Sequence, residues 1–147
     1  MKRLSTLALV AAVVVTGISC GDQGGTGVSG PGELTVLLTS PPNSGLDSAI
    51  IFTITGPAPL TSATAGPGLR LFQQPLGGTS TKFALIGQLT NGALILTIGV
   101  QDLAAVSQYS GAVDGVAMPT YQLRTLPGGY ELALIRLPDP FRRQRPH

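Results

Sequence analysis

Apolar and polar residues alternate along most of the chain after residue 32, which is the period of a strand that buries one face. The clearest alternation runs over residues 33–39, 49–55 and 130–137. Shorter runs predict further strands at 60–65, 69–72, 109–117 and 121–126. Residues 101–107 are long enough for a single helical turn only. The pattern is therefore typical of a chain built almost entirely from short strands.

The strongest local signal lies between residues 82 and 100. Two alternating runs there are separated by Asn91-Gly92, a dipeptide that readily takes the positive φ angles of a tight turn. We therefore predict a β-hairpin over 82–100. Gly87 and Gly99 interrupt its two strands and are predicted to mark bulges or bends.

Proline and glycine clusters separate the predicted strands at intervals of roughly 8 to 15 residues. Eight or nine strands at that spacing favour an all-β fold, an antiparallel β-sandwich of the jelly-roll or immunoglobulin-like kind. Residues 33–137 form one domain of ordinary size in this interpretation. Trp is absent, and the sequence has 20 Gly and 12 Pro, which fits many turns.

The first 19 residues have the order of a secretory signal peptide. Lys2 and Arg3 form a positive head, residues 4–15 are almost entirely apolar, and small residues follow. An apolar run this short does not cross a bilayer core, which needs about 20 residues. We therefore expect residues 1–19 to be removed on export.

The end of this leader, Gly17-Ile18-Ser19-Cys20, resembles the lipobox of bacterial lipoproteins. The resemblance implies that a diacylglycerol is attached to the Cys20 thiol and that the leader is cut just before it. Cys20 is the only cysteine, so it has no partner for a disulfide within the chain. The alternative is an ordinary signal peptide cut near Ser19, which leaves a free thiol.

Two segments flank the predicted domain. Residues 20–32 begin with the lipidated Cys20 and continue as a glycine-rich tether, with an r.m.s. span of roughly 20 Å. Residues 138–147 form a basic tail that we expect to be disordered. The protein is expected to be exported and lipid-anchored to the cell envelope, periplasmic or at the cell surface, and at the outer membrane if the cell has two membranes.

Charge argues against nucleic acid as a partner. The nine basic residues include two in the leader and three in the tail, Arg142, Arg143 and Arg145. The predicted domain itself is nearly neutral, so it has no basic face for a phosphate backbone. The tail arginines either contact anionic lipid headgroups or remain solvated.

The chain is poor in groups that perform catalysis. His147, the only histidine, is the last residue, which argues against Ser-His-Asp, Cys-His and zinc sites. Asp102 and Asp114 flank a loop-rich stretch and remain candidates for a calcium site or an acid pair, although turn capping explains them more simply. Asp47 is expected to be a turn residue. We predict no cofactor, no metal and no enzymatic activity.

Aromatic residues bear on the alternative of sugar binding, which usually uses planar rings. Tyr109, Tyr121 and Tyr130 are the only tyrosines. Alternation places Tyr130 with apolar residues of its strand, so it is expected to pack in the core. The few aromatic residues weaken a polysaccharide-binding interpretation and leave it open.

Three segments, 32–36, 49–56 and 87–94, resemble small exported bacterial domains of the cohesin-like kind, chiefly through the spacing G-x-L-x-x-G-x-L at 87–94. The resemblance implies a jelly-roll sandwich related to some carbohydrate-binding modules, and a binding role for one sheet face. The predicted function is a non-catalytic binding or structural module of the envelope, for a protein partner. The alternative is a carbohydrate-binding module.

Lipidation is tested by Cys20→Ser. The variant is expected to lose both the acyl label and the membrane fractionation of the wild-type protein, because the thiol is the site of attachment. A variant that keeps both would contradict the anchor.

Overall fold

A computed structural model describes residues 28–41, 47–124 and 129–137 of the chain. The predicted signal peptide, Cys20, most of the tether, and the tail with its arginines and His147 lie outside the described residues. So do residues 42–46 and 125–128.

Eight strands and one short helix make up the described structure. The strands are β1 Gly32–Thr39, β2 Asp47–Thr55, β3 Ser62–Ala65, β4 Arg70–Gly77, β5 Ser80–Leu89, β6 Leu94–Val100, β7 Ser110–Ala117 and β8 Glu131–Arg136. A 3₁₀ helix, Leu103–Gln108, precedes β7. Within the described ranges, no helix has the length and apolar character needed to span a membrane.

The strands form two antiparallel four-stranded sheets. Sheet A has the order β3-β6-β1-β8, and sheet B has the order β4-β5-β2-β7. The apolar faces of the two sheets pack against each other. The prediction of an all-β antiparallel sandwich with eight or nine strands is confirmed, and the count is eight.

The core lies between the two sheets and is built from the alternating apolar positions of each strand. Phe52 of β2 and Phe83 of β5 stack at its centre, with ring centroids 5.5 Å apart. Sheet A contributes Leu34, Val36 and Leu38, which are at most 1% exposed. Burial of such side chains contributes roughly 1.5–3 kcal/mol each. The apolar residues that alternate in the sequence are therefore the main source of stability.

The predicted hairpin over 82–100 is wrong. β5 pairs with β2 and β4 in sheet B, whereas β6 pairs with β1 and β3 in sheet A. Gly92 does take a positive φ of 76°, as a tight turn requires. Gly92 instead binds the end of β1, where its N–H donates to Leu38 O, and Asn91 Oδ1 accepts from the N–H of Ser40, the residue after β1. The turn therefore carries the chain from one sheet to the other.

A hairpin that the sequence pattern did not reveal joins β4 to β5. Gly77 pairs with Ser80, and both Gly77 and Gly78 have positive φ values, 91° and 60°. β4 consequently extends five residues beyond its predicted end at residue 72. Its residues after Leu71 are exposed, so the burial that produces strong alternation is missing there.

The strand predicted at 121–126 is also wrong as far as the structure describes it. Residues 121–124 make a single bridge, Leu123 to Ala117, and Tyr121 has a φ of 62° that no strand allows. Gly87 does lie in a bulge, opposite the register shift between Asp47 and Ala49. Gly99 does not, because it pairs regularly with Glu33.

Thr35 is the one buried residue of the described sheets whose side-chain oxygen has no hydrogen-bond partner. It points away from the core, between Thr97 and Ile135, yet it is only 1% exposed. A buried hydroxyl without a partner costs roughly 1–3 kcal/mol. The Thr35 side chain is therefore shielded from water even though it lies on the outer face of sheet A.

Thr35→Val is expected to raise the free energy of unfolding by about 1 kcal/mol, because valine has the same shape and needs no partner. Denaturant unfolding measures the change. Thr97→Val, on the neighbouring half-buried position, is the matched control and should stay within about 0.5 kcal/mol of wild type. A Thr35→Val variant that is less stable than wild type would contradict the conclusion that the Thr35 hydroxyl is buried without a hydrogen-bond partner.

Candidate ligand-binding face

The outer face of sheet B carries a contiguous group of apolar side chains. Ala84 of β5 lies between Ile51 of β2 and Phe72 of β4, and Ile86 lies beside Ala49 one step along the sheet. Ile51, Phe72 and Ile86 are 39%, 52% and 48% exposed. We call these five residues the apolar patch. Apolar groups gathered on a surface in this way mark interaction sites more often than scattered ones do.

Charged residues border the apolar patch. Lys82 Nζ lies 3.7 Å from Asp114 Oδ2, and Thr53 Oγ1 donates to the same oxygen at 2.7 Å. On the opposite border, the Arg70 guanidinium lies 5.9 Å from the centre of the Phe72 ring, in cation–π contact. The patch thus has an apolar centre and a polar edge.

A hollow of about 460 Å³ opens at the end of the apolar patch nearest Ile86. Its walls come from the start of β2, the bulge of β5 and the chain after β7, and they are mostly apolar. The lining residues are Asp47, Ser48, Ala49, Ile86, Gly87, Gln88, Ala117, Pro119 and Tyr121. Its size falls within the range of small-molecule and side-chain pockets.

One wall of the hollow is a short hairpin over residues 116–124. Tyr121 N–H donates to Met118 O at 2.9 Å and Met118 N–H donates to Gln122 O at 2.9 Å, which closes a three-residue loop. Loops of this length usually place glycine at the third position, where φ is positive. Tyr121 occupies that position instead, with a φ of 62°.

Tyr121 is also 93% exposed, so its ring gains almost nothing from packing within the chain. A left-handed conformation costs a non-glycine residue roughly 1–2 kcal/mol. Backbone strain of this kind concentrates at functional sites, where the side chain has a use that outweighs the cost. Tyr121 is therefore the most conspicuous candidate binding residue in the described structure.

A buried polar cluster holds the base of this hairpin. Asp47, whose side chain is 3% exposed, accepts hydrogen bonds from Arg124 Nε on one oxygen and from Tyr130 Oη at 2.6 Å on the other. These groups come from β2, from the end of the hairpin and from the residue before β8. The prediction of a turn residue at Asp47 is wrong, because Asp47 begins β2 and links that strand to residues about 80 positions later in the chain.

The other candidate carboxylates have separate structural partners. Asp102 accepts from the backbone N–H groups of Ala104 and Gly30, both at 2.9 Å, and these bonds lower the pKa of its carboxyl. It caps the 3₁₀ helix, as the turn-capping interpretation predicts. Asp114 lies within β7 and pairs with Lys82. Among the described residues, no group of three His, Cys, Asp or Glu side chains is arranged to hold a metal.

The three tyrosines have three different environments. Tyr109 is only 6% exposed and packs its ring over Gly56, and burial raises the pKa of its phenol. Tyr130 is half-buried against the core, in line with the expectation for it. Only Tyr121 presents its ring to solvent.

The sequence contains a periodicity signal for the apolar patch. Ile51 and Ile86 stand at positions where strict alternation would place polar residues, so apolar side chains occur on both faces of β2 and β5. When a strand of a sandwich carries apolar side chains on both faces, its outer face is expected to pack against something as its inner face does. Gly87 itself indicates the bulge in β5, whereas the Tyr121 hairpin has no comparable signal.

Comparison with known proteins adds no relatives: no family model matches the chain, and neither does any curated protein or solved structure.

Tyr121→Gly is expected to raise the free energy of unfolding by about 1 kcal/mol, because glycine takes the positive φ without strain. Thr120→Gly is the matched control one residue earlier, where φ is not positive. It should lower stability by roughly 0.5–1 kcal/mol through the flexibility of the unfolded chain. Equal effects of the two changes, measured by denaturant unfolding, would mean that position 121 carries no strain.

Proposed function

We propose that this protein is a cell-envelope lipoprotein whose β-sandwich is a non-catalytic binding module for a protein partner. The binding surface is the apolar patch on sheet B together with the adjoining hollow and Tyr121. The observation that carries the proposal is the exposure of Ile51, Phe72 and Ile86 side by side on one sheet face.

The composition of this surface favours protein over other ligands. Protein interfaces combine an apolar centre, enriched in aromatic side chains and arginine, with a polar rim. Phe72 and Arg70 supply the aromatic and arginine components, and the Lys82–Asp114 pair lies on the rim. The described surface has no large excess of one charge, so the partner need not be strongly charged.

A carbohydrate ligand is the second candidate, and Tyr121 is the observation that favours it. Its ring is 93% exposed beside a hollow that also contains the Gln88 amide and the Ser48 hydroxyl. A planar ring with nearby polar groups is the arrangement that sugar rings contact. One aromatic ring at the hollow supports this ligand less well than the five-residue patch supports a protein.

The hydrogen bonds of the acidic residues support a non-catalytic role. Asp47, Asp102 and Asp114 each bind groups that stabilise the fold. A general acid or base needs access to a substrate, and these carboxylates are already occupied by protein donors. The location proposed for the protein is the envelope, with attachment through Cys20 and export by the leader.

The proposal is tested by affinity capture from native envelopes, with the detergent-solubilised lipidated protein as bait. Wild type should retain one protein in stoichiometric amount, and Phe72→Ser should reduce its recovery by about tenfold or more, as loss of a central interface residue does. Thr64→Ala on exposed β3 of sheet A is the matched control and should bind like wild type. All three baits must show the same unfolding midpoint.

Capture lost equally in both variants, or unchanged in Phe72→Ser, would contradict a binding site on sheet B. Retention on insoluble polysaccharide that disappears in Tyr121→Ala, with no protein recovered, would replace the protein partner by a carbohydrate. Tyr109→Ala is unsuitable for this purpose, because Tyr109 is part of the core.

A further inference from the structure

The two described sheets have four edge strands, and three of these are protected against pairing with another chain. β3 has only four residues. β7 is interrupted by a bulge at the charged residue Asp114. β8 lies against β7 of the other sheet, where Leu132 and Leu134 pack over Gly111. Short length, bulges, charges and coverage by a neighbouring element all keep edge strands from pairing with other chains.

β4 is the edge strand of the described sheets that lacks these protections. It is eight residues long, it pairs with β5 alone in the described chain, and every residue after Leu71 is exposed. Arg70, its first residue, is its only charge. Pro75 has no N–H to donate, which affects one position and leaves the residues before it able to pair. The outer side of β4 therefore offers backbone N–H and C=O groups to a further strand.

The sandwich is also open on the side where β3 and β4 lie. A hollow of about 120 Å³ lies there between the two strands, and it is lined by Gln73 of β4, Ser62 of β3 and the buried Phe83 of β5. On the opposite side of the sandwich, β7 and β8 are in direct contact. A strand added beside β4 would therefore use its backbone groups and also cover an opening to the core.

We propose that β4 pairs antiparallel with β4 of a second copy of this chain, which joins two four-stranded B sheets into one sheet of eight strands. Two-fold symmetry makes the edges self-complementary, because each offers the other the same backbone groups. Each copy has one such edge among its described strands, so the pairing closes at a dimer and does not extend into a fibre. The antiparallel direction places the two Arg70 side chains at opposite ends, whereas a parallel pairing in register would set like charges side by side.

The dimer brings the apolar patches of the two copies onto one face. Phe72 belongs to β4, so the Phe72 rings of both copies lie near the middle of the joined sheet. A protein that contacts both patches binds more tightly through avidity. The pairing of two copies is nevertheless independent of the Cys20 anchor and of the partner protein.

The chain that begins at residue 21 tests this pairing in solution. It contains every described strand, and it has neither the leader nor Cys20. Strand pairing is smaller than a standard interface, so sedimentation equilibrium should show a monomer and a dimer with a dissociation constant on the order of 10–100 µM. A chain that remains monomeric up to about 1 mM would overturn the inference and leave the sheet B binding site untouched.

Gln73→Lys tests whether β4 forms the interface. Gln73 is exposed in the single chain and lies on the inner face of sheet B opposite Phe83, so a second strand would cover a lysine there. An inward-pointing charge blocks edge pairing, and the dissociation constant should rise by about tenfold or more.

Thr64→Lys is the matched control, with the same change in charge on the exposed side of β3. It should dimerise like the unchanged chain, and all three proteins should share one unfolding midpoint. Equal weakening by Gln73→Lys and Thr64→Lys would overturn the role of β4.

Single cysteines locate the symmetry axis, and the chain from residue 21 has no cysteine of its own. In the antiparallel pairing, the residue on the axis faces its own copy with Cα atoms about 4.5–5.5 Å apart, which a disulfide can span. On air oxidation, one of Phe72→Cys, Gln73→Cys and Gln74→Cys should form a linked dimer, whereas Thr64→Cys should not. No link from the three β4 variants, or equal linking by Thr64→Cys, would overturn the inference. A linked dimer contains peptides of this chain alone, which distinguishes it from a product with a partner protein.

Discussion

Burial of one apolar face of each sheet, centred on the stacked rings of Phe52 and Phe83, is the constraint on which the rest of the structure depends. Successive side chains of a strand point to opposite faces, so fixing Phe52 and Phe83 in the core also fixes which residues lie outside. Ile51 and Ala84 are placed on the outer face by the same register that buries their neighbours. A slip of one residue would exchange the two sets, which makes the apolar patch a direct consequence of core packing.

The hollow depends on two irregularities at one end of sheet B. The bulge at Gly87 opens β5, and the three-residue loop that ends in Tyr121 forms the facing wall. Asp47 stabilises this arrangement from inside, because its two oxygens bind Arg124 and Tyr130, which both lie far from Asp47 in the chain. The buried cluster thus stabilises a hairpin in which Tyr121 has a strained backbone and an exposed ring. The ring itself does not stabilise the fold. That combination is the physical basis for the proposal that this site binds a ligand.

Sequence periodicity was sufficient for the fold class and for most of the strands, since regular burial produces regular alternation. It failed at Asn91-Gly92, because a turn dipeptide between two strands has the same local chemistry whether those strands pair or belong to different sheets. It missed the outer part of β4, where every residue after Leu71 is exposed and no burial pattern exists. The strained backbone of Tyr121 cannot be predicted from a local pattern, because it depends on the loop length and on the Asp47 cluster.

The most direct test of a binding site on sheet B is photo-cross-linking in intact envelopes, with a benzophenone amino acid placed at position 72 in one protein and at position 64 in another. Both positions are exposed on outer sheet faces, so the two proteins differ only in which sheet carries the cross-linking group. The account predicts one discrete cross-linked protein from position 72 and none from position 64. A product from position 64 alone, or the same products from both positions, would contradict it.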